Sequence, residues 1–109
     1  MRQLSDNLLK EITRRLANSI QPERIYLFGS HATGCADQDS DIDLLAVVNE
    51  EDSSTRDLAR KGRASLWGLQ LPVDLIICTK SQFKKYCHVK NTVINEALCE
   101  GRLIYATQA

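Results

Sequence analysis

The sequence has 109 residues, 43% hydrophobic and 26% charged, with a formal net charge of zero. That composition fits a globular chain and excludes a disordered or collagen-like one; the length predicts a single domain over 1–109. The longest apolar run, Leu44 to Val48, is far too short for a membrane span, and the charged start MRQLSDNLLKEITRR lacks a signal peptide's apolar stretch, so the expected location is cytoplasmic.

Leu4, Leu8, Leu9, Ile12, Leu16 and Ile20 recur at helical spacing and predict a helix over 4–20, with Ser5 or Asp6 at its start and Gln21-Pro22 at its end. Ile25 to Phe28 (IYLF) is β-branched and aromatic and predicts a strand. Gly29-Ser30 ends it, a short turn of helix over His31 to Thr33 follows, and Gly34 is placed to stop that turn. After the polar loop CADQDS, Asp41 to Val48 (DIDLLAVV) predicts a second strand, apolar on both faces in its far half and therefore central in a sheet.

Ser53 or Ser54 is expected to cap a helix running to about Gln70, with Leu58, Ala59, Gly62, Leu66 and Leu69 inward. Trp67 lies off that stripe and is assigned to the edge of the core. Pro72 precedes a third strand, Val73 to Cys78 (VDLIIC). Ser81 is expected to cap a basic helix to about Tyr86. A further helix is expected over Asn91 to Glu100, with Val93, Ile94, Ala97 and Leu98 inward and Gly101 just past its end; Leu103 to Tyr105 returns as a short strand. The order is α-β-α-β-α-β-α-α-β, a mixed α/β (α+β) domain around one small sheet flanked by helices.

The zero net charge conceals an asymmetry. Residues 1–54 hold 5 Lys/Arg and 10 Asp/Glu, a net −5, and residues 55–109 hold 9 and 4, a net +5. Between Arg24 and Arg56 there is neither lysine nor arginine, while Asp37, Asp39, Asp41, Asp43, Glu50, Glu51 and Asp52 all fall there. Either a solvated acidic loop faces a basic second half, or some of these carboxylates await a cation. Cys35, Cys78, Cys87 and Cys99 form no CxxC pair and read as free thiols in or near the core. Tyr26, Tyr86 and Tyr105 read as packing residues, His31 as a solvent-facing turn residue or, by its place beside Gly29-Ser30, a phosphate contact, and Asp37 and Asp39 as loop acids.

The chemistry concentrates in two places. On a strand, residues i and i+2 share a face, so Asp41 and Asp43 project together while Ile42 and Leu44 point to the core. Two like charges at that spacing repel, and a divalent ion with hard oxygen preference, such as Mg²⁺, relieves the repulsion. Ten residues separate Asp41 from Ser30, where Gly29 lets a backbone approach a ligand and the following turn offers N–H groups to phosphate. Asp74, an acid in an otherwise apolar strand, joins the pair if its strand lies beside the second. Three carboxylates and such a turn suit one or two metal ions and a nucleotide.

The pattern G-S-x10-D-x-D with a later lone acid, carried by FGSHATGCADQDSDIDLLAVV, VDLIIC and INEALCEGRLIYA, resembles the nucleotidyltransferase fold of the DNA polymerase beta superfamily. At this length it is similar to the minimal nucleotidyltransferases found beside HEPN-domain proteins in bacteria and archaea. The resemblance implies transfer of AMP from ATP to a hydroxyl of a partner protein. Asp41, Asp43 and Asp74 would be the catalytic and Mg²⁺-binding residues, and Gly29 and Ser30 the nucleotide-binding ones. The partner it implies is a HEPN-type toxin, making this chain the antitoxin, in a homo- or hetero-oligomer that completes the cleft. Many members read G-S-R-A-R-G, and here His31 and Thr33 replace the arginines. That departure leaves open a binding module that neutralises its partner without chemistry; a small-molecule nucleotidyltransferase of the aminoglycoside type is a third reading. No basic stripe interleaved with aromatics points to nucleic acid.

Overall fold

The computed structural model describes residues 5–34, 41–49, 54–69 and 72–107. Cys35, Asp37, Asp39, Glu50, Glu51, Asp52, Ser53 and Gln70 lie outside the described residues. The elements are α1 (Asp6–Ile20), β1 (Arg24–Phe28), α2 (Ser30–Thr33), β2 (Ile42–Val48), α3 (Thr55–Ser65), β3 (Val73–Thr79), α4 (Lys80–Tyr86), α5 (Val93–Glu100) and β4 (Arg102–Ala106). They follow the expected order. No described helix is long and apolar enough to cross a membrane.

The sheet runs β3-β2-β1-β4. β1 pairs antiparallel with both β2 and β4, and β2 pairs parallel with β3 across the α3 crossover. β2 is therefore central, as its two-faced apolar run requires: Leu44, Leu45, Ala46 and Val47 are all fully buried. Alternation splits the interior into two layers. Ile25, Leu27, Ile42, Leu44, Ala46 and Leu75 face α1 and α3, where they meet Ile12, Leu16, Ile20 and Leu66. Tyr26, Phe28, Leu45, Val47 and Cys78 face α4 and α5, where they meet Phe83, Cys87 and Ala97.

The helix starts follow side-chain capping. The Ser5 hydroxyl accepts from the Leu8 N–H at 3.1 Å and the Ser54 hydroxyl from the Asp57 N–H at 3.1 Å. α4 is capped by Thr79 rather than the expected Ser81. The Thr79 hydroxyl accepts from the Gln82 N–H at 3.1 Å, and the Gln82 carbonyl accepts from the Thr79 N–H at 2.9 Å, a reciprocal pair that Ser81 has no residue to complete.

Several expectations need correction. α3 ends at Ser65, short of Gln70. Arg15 of α1 donates to the carbonyls of Ser65 (3.3 Å) and Trp67 (3.1 Å), and Gly68 turns the chain at φ 90°. That turn carries Trp67 outward, to 86% exposure, so it does not close the core edge. α5 starts at Val93, with Thr92 as its cap, and buries Ala97. Val93 and Leu98 are exposed rather than inward. Gly101 follows it with an extended backbone (φ −89°) instead of a left-handed one. Cys78 and Cys87 are buried free thiols, while Cys99 is exposed. Tyr26 is a packing residue, stacked on Phe83 at 5.6 Å, whereas Tyr86 is open to solvent on one side.

Candidate functional site

The parallel pairing of β2 with β3 sets Asp43 opposite Asp74, and the antiparallel pairing of β1 with β2 sets Phe28 opposite Asp43. Directly opposed residues share a sheet face. Asp43 and Asp74 therefore stand side by side on the α4/α5 face, and the corner after Phe28 arrives beside them. Asp74 is exposed and Asp43 half-buried. Asp41 lies one residue before β2, not inside it, and is exposed. The strand begins at Ile42, whose N–H donates to the Pro72 carbonyl at 2.9 Å.

Gly29 makes the corner. Its φ of 75° is a conformation that side chains disfavour. A Cβ there would run into the Asp43 carboxylate, 3.1 Å from its Cγ. The glycine thus serves two needs at once, the turn and the approach of the main chain to the acid. Ser30 opens α2, and the Gly29 carbonyl accepts from Ala32 and Thr33 at 3.1 and 3.2 Å. Gly34 closes that turn of helix at φ 81°, as its position in the sequence indicates.

Burial pushes the Asp43 carboxyl above the usual carboxylate range. The negative charges of Asp74, Asp41 and Glu96 push it further, in that order, and His31 pulls it back. Glu96 enters the site here although the sequence does not single it out, and His31 enters it against its expected solvent-facing place. Glu96 arrives because α5 buries Ala97 against the sheet beside Phe28, which sets its neighbour in sequence over the same end of the sheet. His31, expected to face solvent, is half-buried in α2 and close enough to act on Asp43. A helix short enough to have either face inward carries no periodicity that marks Glu96. For His31, its place directly after Gly29-Ser30 is the available signal.

Among the described residues no three His, Cys, Asp or Glu side chains are gathered in metal-holding geometry. The donor chemistry nonetheless suits Mg²⁺. This ion usually takes one or two carboxylates and fills its remaining positions with substrate phosphate and water, so a complete protein cage is not required. Burial raises Asp43 first, and the repulsion from Asp74, Asp41 and Glu96 that adds to it is what a divalent cation would remove. The candidate ligands stand at an open surface, which leaves room for both phosphates and an acceptor.

No curated protein sequence matches the chain. Three of the solved structures that share its fold illustrate the likeness. A nucleotidyltransferase of Sulfolobus solfataricus, described as putative, is 24% identical with a TM-score of 0.61, covering 92% of this chain and 81% of its own. A toxin-antitoxin crystallised with AMP-PNP is 23% identical with a TM-score of 0.59, covering 92% and 74%. A mutant of the toxin-antitoxin MntA-HpeT is 27% identical with a TM-score of 0.54, covering 97% and 76%. A family model described as the nucleotidyltransferase domain matches residues 6–99, a span that takes in the glycine corner and all three acids. By that match, which covers most of its length, the chain belongs to the nucleotidyltransferase domain family.

Proposed function

We propose that this chain transfers AMP from ATP to a hydroxyl of a partner protein, and that the partner is the toxin, of HEPN type, of a toxin-antitoxin pair. One observation carries the reading: Asp43 and Asp74 are register partners on one face, with the Gly29 main chain against the Asp43 carboxylate. Membership of the nucleotidyltransferase family supports the reaction class. The AMP-PNP in one structural relative supports ATP as donor, and the toxin-antitoxin relatives support the partner.

In this reading the acceptor oxygen attacks the α-phosphorus, the bond from that phosphorus to the bridging oxygen breaks, and pyrophosphate leaves. Asp74, exposed at the strand start, takes the proton of the attacking hydroxyl and passes it to solvent. Gly29 and Ser30 hold the β and γ phosphates, with N–H groups and a hydroxyl at the corner. Mg²⁺ held by Asp41, Asp43 and Asp74 would lower the pKa of the hydroxyl and stabilise charge on the leaving oxygen. The open face leaves the cleft to be completed by the partner or by a second copy of the chain.

His31 and Thr33 favour a second reading. Without two arginines on the phosphates, the chain neutralises its partner by covering it. The test is incubation of the purified chain and the product of its adjacent gene with α-labelled ATP and Mg²⁺. Label on the partner, adding whole AMP units to its intact mass and absent with Asp43→Asn, supports transfer. Full neutralisation by Asp43→Asn with no label in either protein supports covering and sinks the enzyme.

A further inference from the structure

The α4–α5 corner carries a surface that the chemistry above does not use. Among the described residues six large hydrophobic ones are exposed, and three of them, Tyr86 (36%), Val89 (46%) and Val93 (41%), fall in this corner. Tyr86 and Val93 line a groove of about 320 Å³ together with Ile76, Thr92 and Ile94. Its floor is continuous with the acids. Ile76 is two residues along β3 from Asp74 and on the same face, about 7 Å away at ordinary strand rise. β3 is also the edge of the sheet on that side.

The far rim is basic. No acidic residue occurs between Asp74 and Glu96, while Lys80, Lys84, Lys85 and Lys90 all do. Lys80 is paired with Glu23 at 3.4 Å. Among the described residues Lys84, Lys85 and Lys90 have no carboxylate at ion-pair distance, and Lys85 lies over the Tyr86 ring at 5.3 Å from its centre. The groove is thus apolar in the middle, negative at the Asp74 end and positive at the Lys85 end.

We propose that this groove seats the acceptor protein, through an apolar segment followed by acidic residues. This rests on the reading that the acceptor is a protein. The charge order fixes the direction. The acidic flank sits on Lys85, the apolar side chains fill the space between Tyr86 and Val93, and the hydroxyl comes to the Asp74 end. A nucleic acid would use the lysines but leave the aliphatic floor of Ile76, Val93 and Ile94 uncovered, so the apolar lining favours polypeptide.

The test measures affinity of the purified chain for its adjacent gene product at low and high salt. Val93→Asp is placed at a helix N-terminus that tolerates an acid, and Lys85→Glu reverses the rim. Each is expected to weaken binding by about tenfold or more, the lysine effect fading in high salt. Arg60→Glu, on the opposite side of the sheet, is expected to bind as the parent does. Tyr86→Ala, also in the groove lining, serves if melting shows Val93→Asp unfolded. Unchanged affinity in the groove variants overturns the proposal. So does failure of the parent to bind, or displacement of the partner by a single-stranded RNA oligomer that depends on the same lysine. Groove-dependent binding without any transfer of label keeps the docking surface and removes the enzyme, so the two readings fail separately.

Discussion

The two faces of the sheet are built from different materials. The fully packed residues of the face under α1 and α3 are aliphatic: Ile12, Leu16, Ile20, Ile25, Leu27, Ile42, Leu44 and Leu75 close it, with Tyr105 at its margin. Gly62 lets α3 approach so near that a Cβ there would sit 3.2 Å from a Leu16 methyl. The face under α4 and α5 mixes aromatic rings, two thiols and an aliphatic pair, and its helices are only seven and eight residues long. Short helices leave the strand starts uncovered, and that is where Asp43 and Asp74 emerge. One face supplies the stability; the other is left incomplete, with charges at its open end.

The sharpest way to break this division is to damage the aliphatic face alone. Leu16→Ala empties a fully buried position and is expected to cost about 2–5 kcal/mol. Chemical denaturation reads the loss, and at temperatures where the variant remains folded its transfer rate should match the parent. A large loss of rate in the folded variant would mean that the two faces are coupled. The reverse damage is Asp43→Asn. It is expected to lower the rate of label transfer by about 10²–10³, with an unchanged circular dichroism spectrum. A smaller loss would shift the weight of the site to Asp74 and Asp41.

Gly29→Ala falls between the two, because this position serves both shape and site. Its φ of 75° and the Asp43 carboxylate beside it oppose any side chain. A cost of about 1–3 kcal/mol is expected, together with weakened ATP binding measured by calorimetry. Stability loss without any change in nucleotide affinity would make Gly29 a turn residue and nothing more.

The comparison also explains what the sequence made legible. The strands, the central place of β2 and the crossover to β3 follow from apolar runs, and tertiary pairing agrees with them. Asp43, Asp74 and Gly29 were legible because an acid in an apolar strand and a glycine after one violate local preference. The failures lie in the incomplete layer and at turns. Val93 and Leu98 satisfy helical periodicity but find no sheet to cover, since α5 rests on Ala97. Trp67 lies off the helical stripe, so periodicity does not place it, and a contact fifty-two residues away in sequence, Arg15 on its carbonyl, holds the turn that exposes it. Glu96 reaches the site through the packing of one short helix, which no local pattern records.

The smallest expected effect tests whether the open end carries a standing electrostatic cost. Burial and the charges of Asp74, Asp41 and Glu96 raise the Asp43 carboxyl in the folded chain above its ordinary value of 3.8. The folded state therefore holds the proton more tightly than the unfolded state does. Stability conferred by that proton is present at low pH and is lost as pH rises through the folded value, so at neutral pH the ionised group disfavours folding. Water at the open side of the half-buried carboxylate screens the repulsion, which keeps the cost small. Asp43→Asn is expected to melt slightly higher than the parent at neutral pH in the absence of divalent ions and nucleotide, with the difference vanishing in acid. Adding Mg²⁺ and a non-hydrolysable ATP analogue should raise the melting temperature of the parent and not of Asp43→Asn, reversing their order. If the parent melts higher even without ligand, Asp43 is held by contacts that stabilise its charge, and the repulsion assigned to this end of the sheet is already satisfied by the chain itself.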